Sequence, residues 1–434
     1  MDFVKKLFGG DIRQLGMIGA LVFLIAFFAW STDGVNLTPD NVNNIIRGNA
    51  HILVLAIGMV MVIIAGHIDL SVGSVSAAVG IVVAIAMRDW GLHWTLAILL
   101  GLAFGALIGT WQGWWVAKIG IPAFIVTLAG MLFFRGLNQF IGKSNTVPVP
   151  PEFQVIGAGS LPEWGPNTGY NNLTVLLGIV GCAAIVIGTL RNRQKLTKIN
   201  AEVEEAGVMW ARLILICLVI MGVMLLIASG AKGFPVSGLI LVFLVIIYGF
   251  LTSKMILGRH IYAVGGNRHA AELSGVKSTR VNFFVMANMA VLAALAGMMF
   301  VARSNASGPF DGVGWELDAI AAVFIGGAAV TGGVGTVVGS IVGGLVMAVL
   351  NNGLQLEGIG ADRTQMIKGL VLLIAVAFDL YSKKQGKPSL IGSLMKKRGG
   401  GAGSGGAAAS THIETQNPAR AAVQDTSTTI GTES

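Results

Sequence analysis

HILVLAIGMVMVIIAGHID, residues 51–69, decides the fold class. Between Arg47 and His67 only His51 can titrate, and one helix needs about 20 largely apolar residues to cross a bilayer core. Runs of the same kind recur on both sides of it. Only 12% of the 434 residues are charged, 54% are hydrophobic, and the mean hydropathy is +0.77. Soluble domains carry roughly twice that share of charge, so lipid is the main solvent of this chain. The 61 glycines agree, because small residues let helices approach where lipid supplies no hydrophobic drive.

Working outward, apolar segments fall near 15–30, 45–64, 72–87, 94–115, 122–142, 172–190, 209–228, 236–253, 281–303, 317–330, 334–352 and 365–381. They predict an all-α polytopic membrane protein with about 10–12 transmembrane helices. The segment at 317–330 is short for a span.

Orientation follows from the basic residues. With the N-terminus inside, nineteen of the 29 Lys and Arg fall in cytoplasmic segments, against four (Arg88, Lys143, Lys232 and Arg363) in the opposite loops. That bias places both termini in the cytoplasm. It also accounts for the net charge of +8 without a nucleic-acid partner. The domain plan is a cytoplasmic N-terminus over 1–14, a membrane domain over 15–382 and a tail over 383–434. The tail is basic and then too poor in apolar residues to bury a core, so it is expected to be disordered. The run ending at Trp30 lacks a small-residue cleavage site and is expected to stay as a first helix. Cys182 and Cys217 lie inside apolar runs and read as packing residues, not as a disulfide or metal site.

Three stretches carry candidate function. The first is the predicted cytoplasmic loop KMILGRHIYAVGGNRHAAELSGVKSTR, residues 254–280, glycine-rich and basic with Glu272 its one acid. Asn267 is placed to cap a short helix running through Ala270, Ala271, Glu272 and Leu273 to Gly275. Such a helix between two spans can press into a groove of a cytoplasmic partner. A solvated positive-inside loop is the other reading.

The second is AGHIDLSVGSVSAAVG, residues 65–80, which sets Asp69 among Ser71, Gly73, Ser74 and Ser76. A carboxylate at membrane depth is costly unless paired or hydrated, and broken helices there line cavities. One reading is therefore a hinge or a lining of a transport path. The other is a short loop in which Asp69 caps the next helix. The third is LDAIAAVFIGGAAVTGGVGTVVGSIVGG, residues 317–344. Gly335, Gly339 and Gly343 recur every fourth residue, as do Gly101, Gly105 and Gly109, and each set predicts one smooth helix face for close packing.

These stretches resemble the permeases of ATP-binding-cassette importers of the ribose/xylose type. GRHIYAVGGNRHAAELSGV is similar to the family's coupling loop, whose Ala-Ala-x-x-Ser-Gly core docks onto the ATPase subunit. The resemblance implies that role for Gly258, Arg259, Tyr262, Gly265, Gly266, Asn267, Ala270, Ala271, Ser274 and Gly275. Residues 65–80 resemble the family's Gly-Gly-Ile-Asp-Leu-Ser-Val-Gly motif, with His67 in place of the second glycine, and 317–344 with NNGL at 351–354 form the third match. Coverage runs from about residue 45 to 381, and an apparent extra helix pair around 190–232 makes the chain most like xylose and multiple-monosaccharide permeases. The resemblance implies a homodimer in the bacterial inner membrane, an ATP-binding subunit, a periplasmic sugar-binding protein and a monosaccharide substrate.

Polar residues inside helices are candidates for the translocation path: Asn49, His51, Arg135, Asn138, Gln139, Asn288, Arg303, Asn351 and Asn352. With Asp69, Ser71 and Gly73, the amides Asn288, Asn351 and Asn352 are the chosen set, since neutral sugars need donors and acceptors without fixed charge. No catalytic residue, cofactor or metal set is predicted. Gly275-Val-Lys277-Ser278 only grazes a phosphate-binding loop, because Val276 separates the glycine from the lysine. Energy must then come from a partner. The rival is an ion-coupled secondary transporter, which would want paired intramembrane acids; Asp69 and Asp318 are nearly the only ones.

Overall fold

In the computed structural model, residues 12–201 and 203–384 are described. Each of the twelve apolar segments contains a helix, although 326–330 and 334–336 lie outside the helices. In chain order the helices are α1 (Ile12–Ser31), α2 (Pro39–Ile64), α3 (Val72–Arg88), α4 (Trp94–Trp114), α5 (Ala123–Ile141), α6 (Asn172–Lys198), α7 (Ala206–Ala228) and α8 (Val236–Lys254). There follow α9 (Ile256–Gly266), α10 (Arg268–Leu273), α11 (Ser278–Ser304), α12 (Trp315–Ile325), α13 (Val337–Leu356) and α14 (Ala361–Lys384). The protein is an all-α polytopic membrane protein. Eight of the described helices are long and apolar enough to cross a bilayer, and α3 and the Gly16–Ser31 part of α1 are shorter apolar helices. The segments 1–11 and 385–434, which hold most of the predicted N-terminal and tail regions, lie outside the described residues.

The centre is built on α2 and α11, which with α13 are the most enclosed of the described spans. Their faces are small or flexible, so α3 can approach α11 until Ser76 Oγ donates to the Ala293 carbonyl at 2.7 Å. The α6–α7 hairpin lies at the edge, its spans only 11% and 17% buried, as expected for helices facing lipid. α12 has 11 residues, or about 16 Å of helix, and cannot cross a core of about 30 Å. Instead the chain leaves α11, pairs Ala306–Ser307 with Val147–Pro148 in a short antiparallel bridge, and turns back into the body. There the backbones of Gly312 and Gly73 touch: a Cβ on either would stand 2.0–2.1 Å from the other's carbonyl oxygen. α12 thus starts beside the first turn of α3.

Two expectations are corrected. The segment 254–280 is not an extended polar loop carrying one short helix; α9 and α10 fill most of it, because Ile261 and Val264 find a buried face. The four-residue glycine ladder is incomplete. α13 begins at Val337 behind the N-cap Thr336, so Gly335 lies in the preceding turn. Only Gly339 and Gly343 are on the helix, and they meet the backbone of Gly326 and Ala322 at the end of α12.

Candidate functional site

The unit between Lys254 and Ser278 is organised by its glycines and one asparagine. A Cβ at Gly258 would stand 2.3 Å from the Leu251 carbonyl oxygen, so the chain folds back tightly from α8 into α9. Asn267 caps α10 through Oδ1, which accepts from the Ala270 amide at 3.0 Å. At the other end Val276 N donates to Ala271 O at 3.0 Å and Gly275 N to Glu272 O at 2.9 Å. This is a Schellman closure, and it holds Gly275 at φ +85°, a conformation that costs a side-chain-bearing residue about 1–2 kcal/mol. The Glu272 carboxylate accepts from Ser278 Oγ and pairs with Arg268 Nε at 2.9 Å. These two partners, the hydroxyl foremost, hold its pKa below the usual carboxylate range. Of α10, only Ala271 turns inward; Ala270, Ser274 and Gly275 are exposed, and Leu273 is 78% exposed.

The same unit is locked to two other parts of the body. Tyr262 donates its hydroxyl to the Gly335 carbonyl at 2.7 Å. Gly265 lies so close to α2 that a Cβ would stand 1.6 Å from the Ile64 carbonyl oxygen. That oxygen accepts from the Gly333 amide at 2.8 Å. The end of α9, the end of α2 and the α12–α13 turn therefore meet at one point, packed backbone to backbone. Gly266 next door is exposed with open space around it.

From Ile64 the chain runs directly into the second candidate stretch. Asp69 is 1% exposed. Its Oδ1 accepts from Ser71 N at 2.8 Å and Ser71 Oγ at 2.7 Å, and Gln112 Nε2 donates to Ser71 Oγ at 2.8 Å. Ser71, not Asp69, occupies the N-cap position of α3; Asp69 instead closes a turn onto the residue two ahead. Asp69, Ser71 and Gly73 are thus brought together around one buried bend.

The candidate amides are not brought to one surface. Asn288 accepts from Tyr248 OH at 2.6 Å. Asn352 and Asn41 exchange hydrogen bonds at 2.9 and 3.0 Å. Asn351 lines a narrow cleft with Asn49, Asp318 and Lys368, and the last two form an ion pair at 2.7 Å. His51 packs its ring on Phe300 and Trp315, centroids 5.1 and 4.4 Å away. Among the residues outside the chosen set that stand at these sites are Gln112, Lys368, Leu273 and the buried Glu316 beside Gly73. A polar or charged residue inside or beside an apolar run was the available signal for Gln112, Lys368 and Glu316. Leu273 gave none, because exposure of a leucine is invisible in sequence.

Residues 41–376 match the family described as branched-chain amino acid transport system / permease component. The chain belongs to this permease family. The permease is 38% identical over 381 residues to the xylose transport system permease protein of Haemophilus influenzae, covering 88% of this chain and 99% of that one. It is 38% identical over 376 residues to the Escherichia coli K12 xylose transport system permease protein (86% and 93% covered). The Escherichia coli K12 ribose import permease protein follows at 33% over 367 residues (84% and 92%). No solved structure matches the permease. The resemblance to ribose/xylose-type permeases stands, as does the reading of a multi-pass inner-membrane transport component. Nothing in these comparisons supports ion coupling.

Proposed function

We propose that this permease is the membrane-spanning subunit of an ATP-driven importer for a monosaccharide, xylose or several pentoses and hexoses. The xylose and ribose permeases it resembles support the substrate class. In this reading two copies surround the path, a periplasmic sugar-binding protein delivers the sugar, and a separate ATP-binding subunit supplies the energy. Both termini and the α9–α10 unit face the cytoplasm. The observation that carries the reading is the build of that unit. α10 offers Ala270, Leu273 and Ser274 to solvent, while Gly265 and Tyr262 tie α9 to the end of α2 and to the α12–α13 turn.

A push on α10 is therefore delivered to the two turns that lead into α3 and α13. The bend holding Asp69, Ser71 and Gly73 acts as the hinge, and Gly339 and Gly343 keep α13 seated on α12. Asn288, Asn351 and Asn352 offer amides within the membrane domain, where neutral hydroxyl groups need donors and acceptors. The experiment is uptake of D-xylose and D-ribose by proteoliposomes with the sugar-binding protein supplied outside. Uptake that requires the ATP-binding subunit and ATP supports the reading. Uptake by the permease alone, driven by an ion gradient, overturns it.

A further inference from the structure

A cavity of about 380 Å3 opens between the α2–α3 bend, the turn before α5 and the start of α10. It falls within the roughly 300–1,000 Å3 of small-molecule sites, and neither coupling nor the hinge uses it. His67, Asn282, Arg268 and Phe124 stand in its wall beside the backbone of Gly66 and Gly120. Asn282 is 3% exposed. His67 lies within reach of the Asn282 side chain, yet neither His67 Nε2 nor Asn282 Oδ1, both buried, reaches full hydrogen-bond geometry with any partner in the protein. A buried polar group without a well-formed hydrogen bond costs up to about 1–3 kcal/mol, which a ligand completing the bond would recover. The opening turn of α5, at Ala123 and Phe124, has no side-chain cap, so its first N–H groups are available as further donors.

The lining combines an imidazole, an amide, a guanidinium and free backbone N–H groups with the Phe124 ring and the aliphatic Ile121. Directional polar groups together with apolar surface suit a small polyol, whose hydroxyls lie around the rim of a C–H face. The position matters as much. Arg268 opens α10, and the bend at Gly66–His67 directly follows the Ile64 carbonyl on which Gly265 rests. A ligand here touches both sides of the joint that would have to move. His67 is also where this sequence departs from the motif it otherwise resembles, so the cavity wall contains a side chain that the hinge alone does not explain.

We propose that this cavity binds the transported monosaccharide from the cytoplasmic side, and that a sugar held there clamps α10 to the α2–α3 bend and slows further import. The proposal rests on the sugar-import reading above. D-xylose is the probe. Binding to purified permease in nanodiscs is measured by equilibrium dialysis for wild type, His67→Gly and Asn282→Ala, with a melting temperature for each. His67→Gly removes a partly exposed loop side chain and serves where Asn282→Ala, inside α11, lowers stability.

Wild type should bind one D-xylose per chain, and each substitution should weaken binding at least about tenfold. In right-side-out vesicles containing ATP and the ATP-binding subunit, with the sugar-binding protein supplied outside, preloaded D-xylose should reduce the initial uptake rate at least about twofold. In His67→Gly the reduction should vanish, each variant being compared with its own unloaded rate. Wild-type vesicles that import D-xylose, with binding or inhibition unaltered by His67→Gly, would overturn the cavity assignment alone. Wild-type vesicles that import neither D-xylose nor D-ribose would overturn the sugar reading, and this inference with it.

Discussion

The α-carbon of Gly265 rests against the Ile64 carbonyl so closely that a methyl group would lie 1.6 Å from its oxygen. No rotamer change relieves a clash with backbone, so Gly265→Ala has to part α9 from α2. Overpacking of this kind typically costs about 1–3 kcal/mol. Gly265→Ala is expected to lower the melting temperature of the detergent-solubilised permease and to cut uptake at least about tenfold. Gly266→Ala, one residue on and in open space, should match wild type in both. Equal behaviour of the two variants would show that the α9–α2 contact carries no load.

The Lys368–Asp318 pair ties α14 to the half-helix α12 within the membrane domain, its side chains 19% and 22% exposed. Removing one partner leaves an unpaired charge, which in buried settings costs about 3–5 kcal/mol; partial exposure reduces that to about 2 kcal/mol here. Asp318→Asn and Lys368→Met should each lower membrane abundance and thermal stability. The double variant should recover more than half of the loss, since no lone charge remains. Additive losses in the double variant would contradict a direct pairing.

How much of this was legible in the sequence depended on the range of the interaction. The twelve apolar runs were readable because each reports its own lipid or core environment, residue by residue. The cap at Asn267 and the closing glycine at Gly275 were readable too, since capping is settled within four or five residues. What could not be read was which surfaces meet. Gly335 kept the four-residue spacing of Gly339 and Gly343, yet Thr336 caps α13 and leaves it outside. Its carbonyl is used by Tyr262, 73 residues away. The amides of Asn288, Asn351 and Asn352 looked alike in sequence, and each was assigned by folding to a different neighbourhood.

Orientation has its own test. Ser144 is exposed in the loop after α5, whereas Ser278 is 4% exposed and bonded to Glu272. Lys277, which is exposed, is therefore the better reporter on the other side. In intact cells an impermeant maleimide should label Ser144→Cys and leave Lys277→Cys unlabelled until the membrane is opened, both in a background lacking Cys182 and Cys217. Labelling of Lys277→Cys in intact cells would invert the topology.

In the proposed importer, α10 is the surface on which the ATP-binding subunit docks. Gly275 is a poor place to test it, because at φ +85° any larger residue adds about 1–2 kcal/mol of backbone strain whether or not a partner is present. Leu273 is better: it is 78% exposed, so a polar replacement should shift the stability of the permease by no more than about 0.5 kcal/mol. The measurement is co-purification of the ATP-binding subunit with Leu273→Asp permease from detergent-solubilised membranes, alongside ATP-dependent D-xylose uptake. Permease abundance and melting temperature should stay normal, with the subunit lost from the complex and uptake reduced at least about tenfold. An intact complex with unchanged uptake would contradict it.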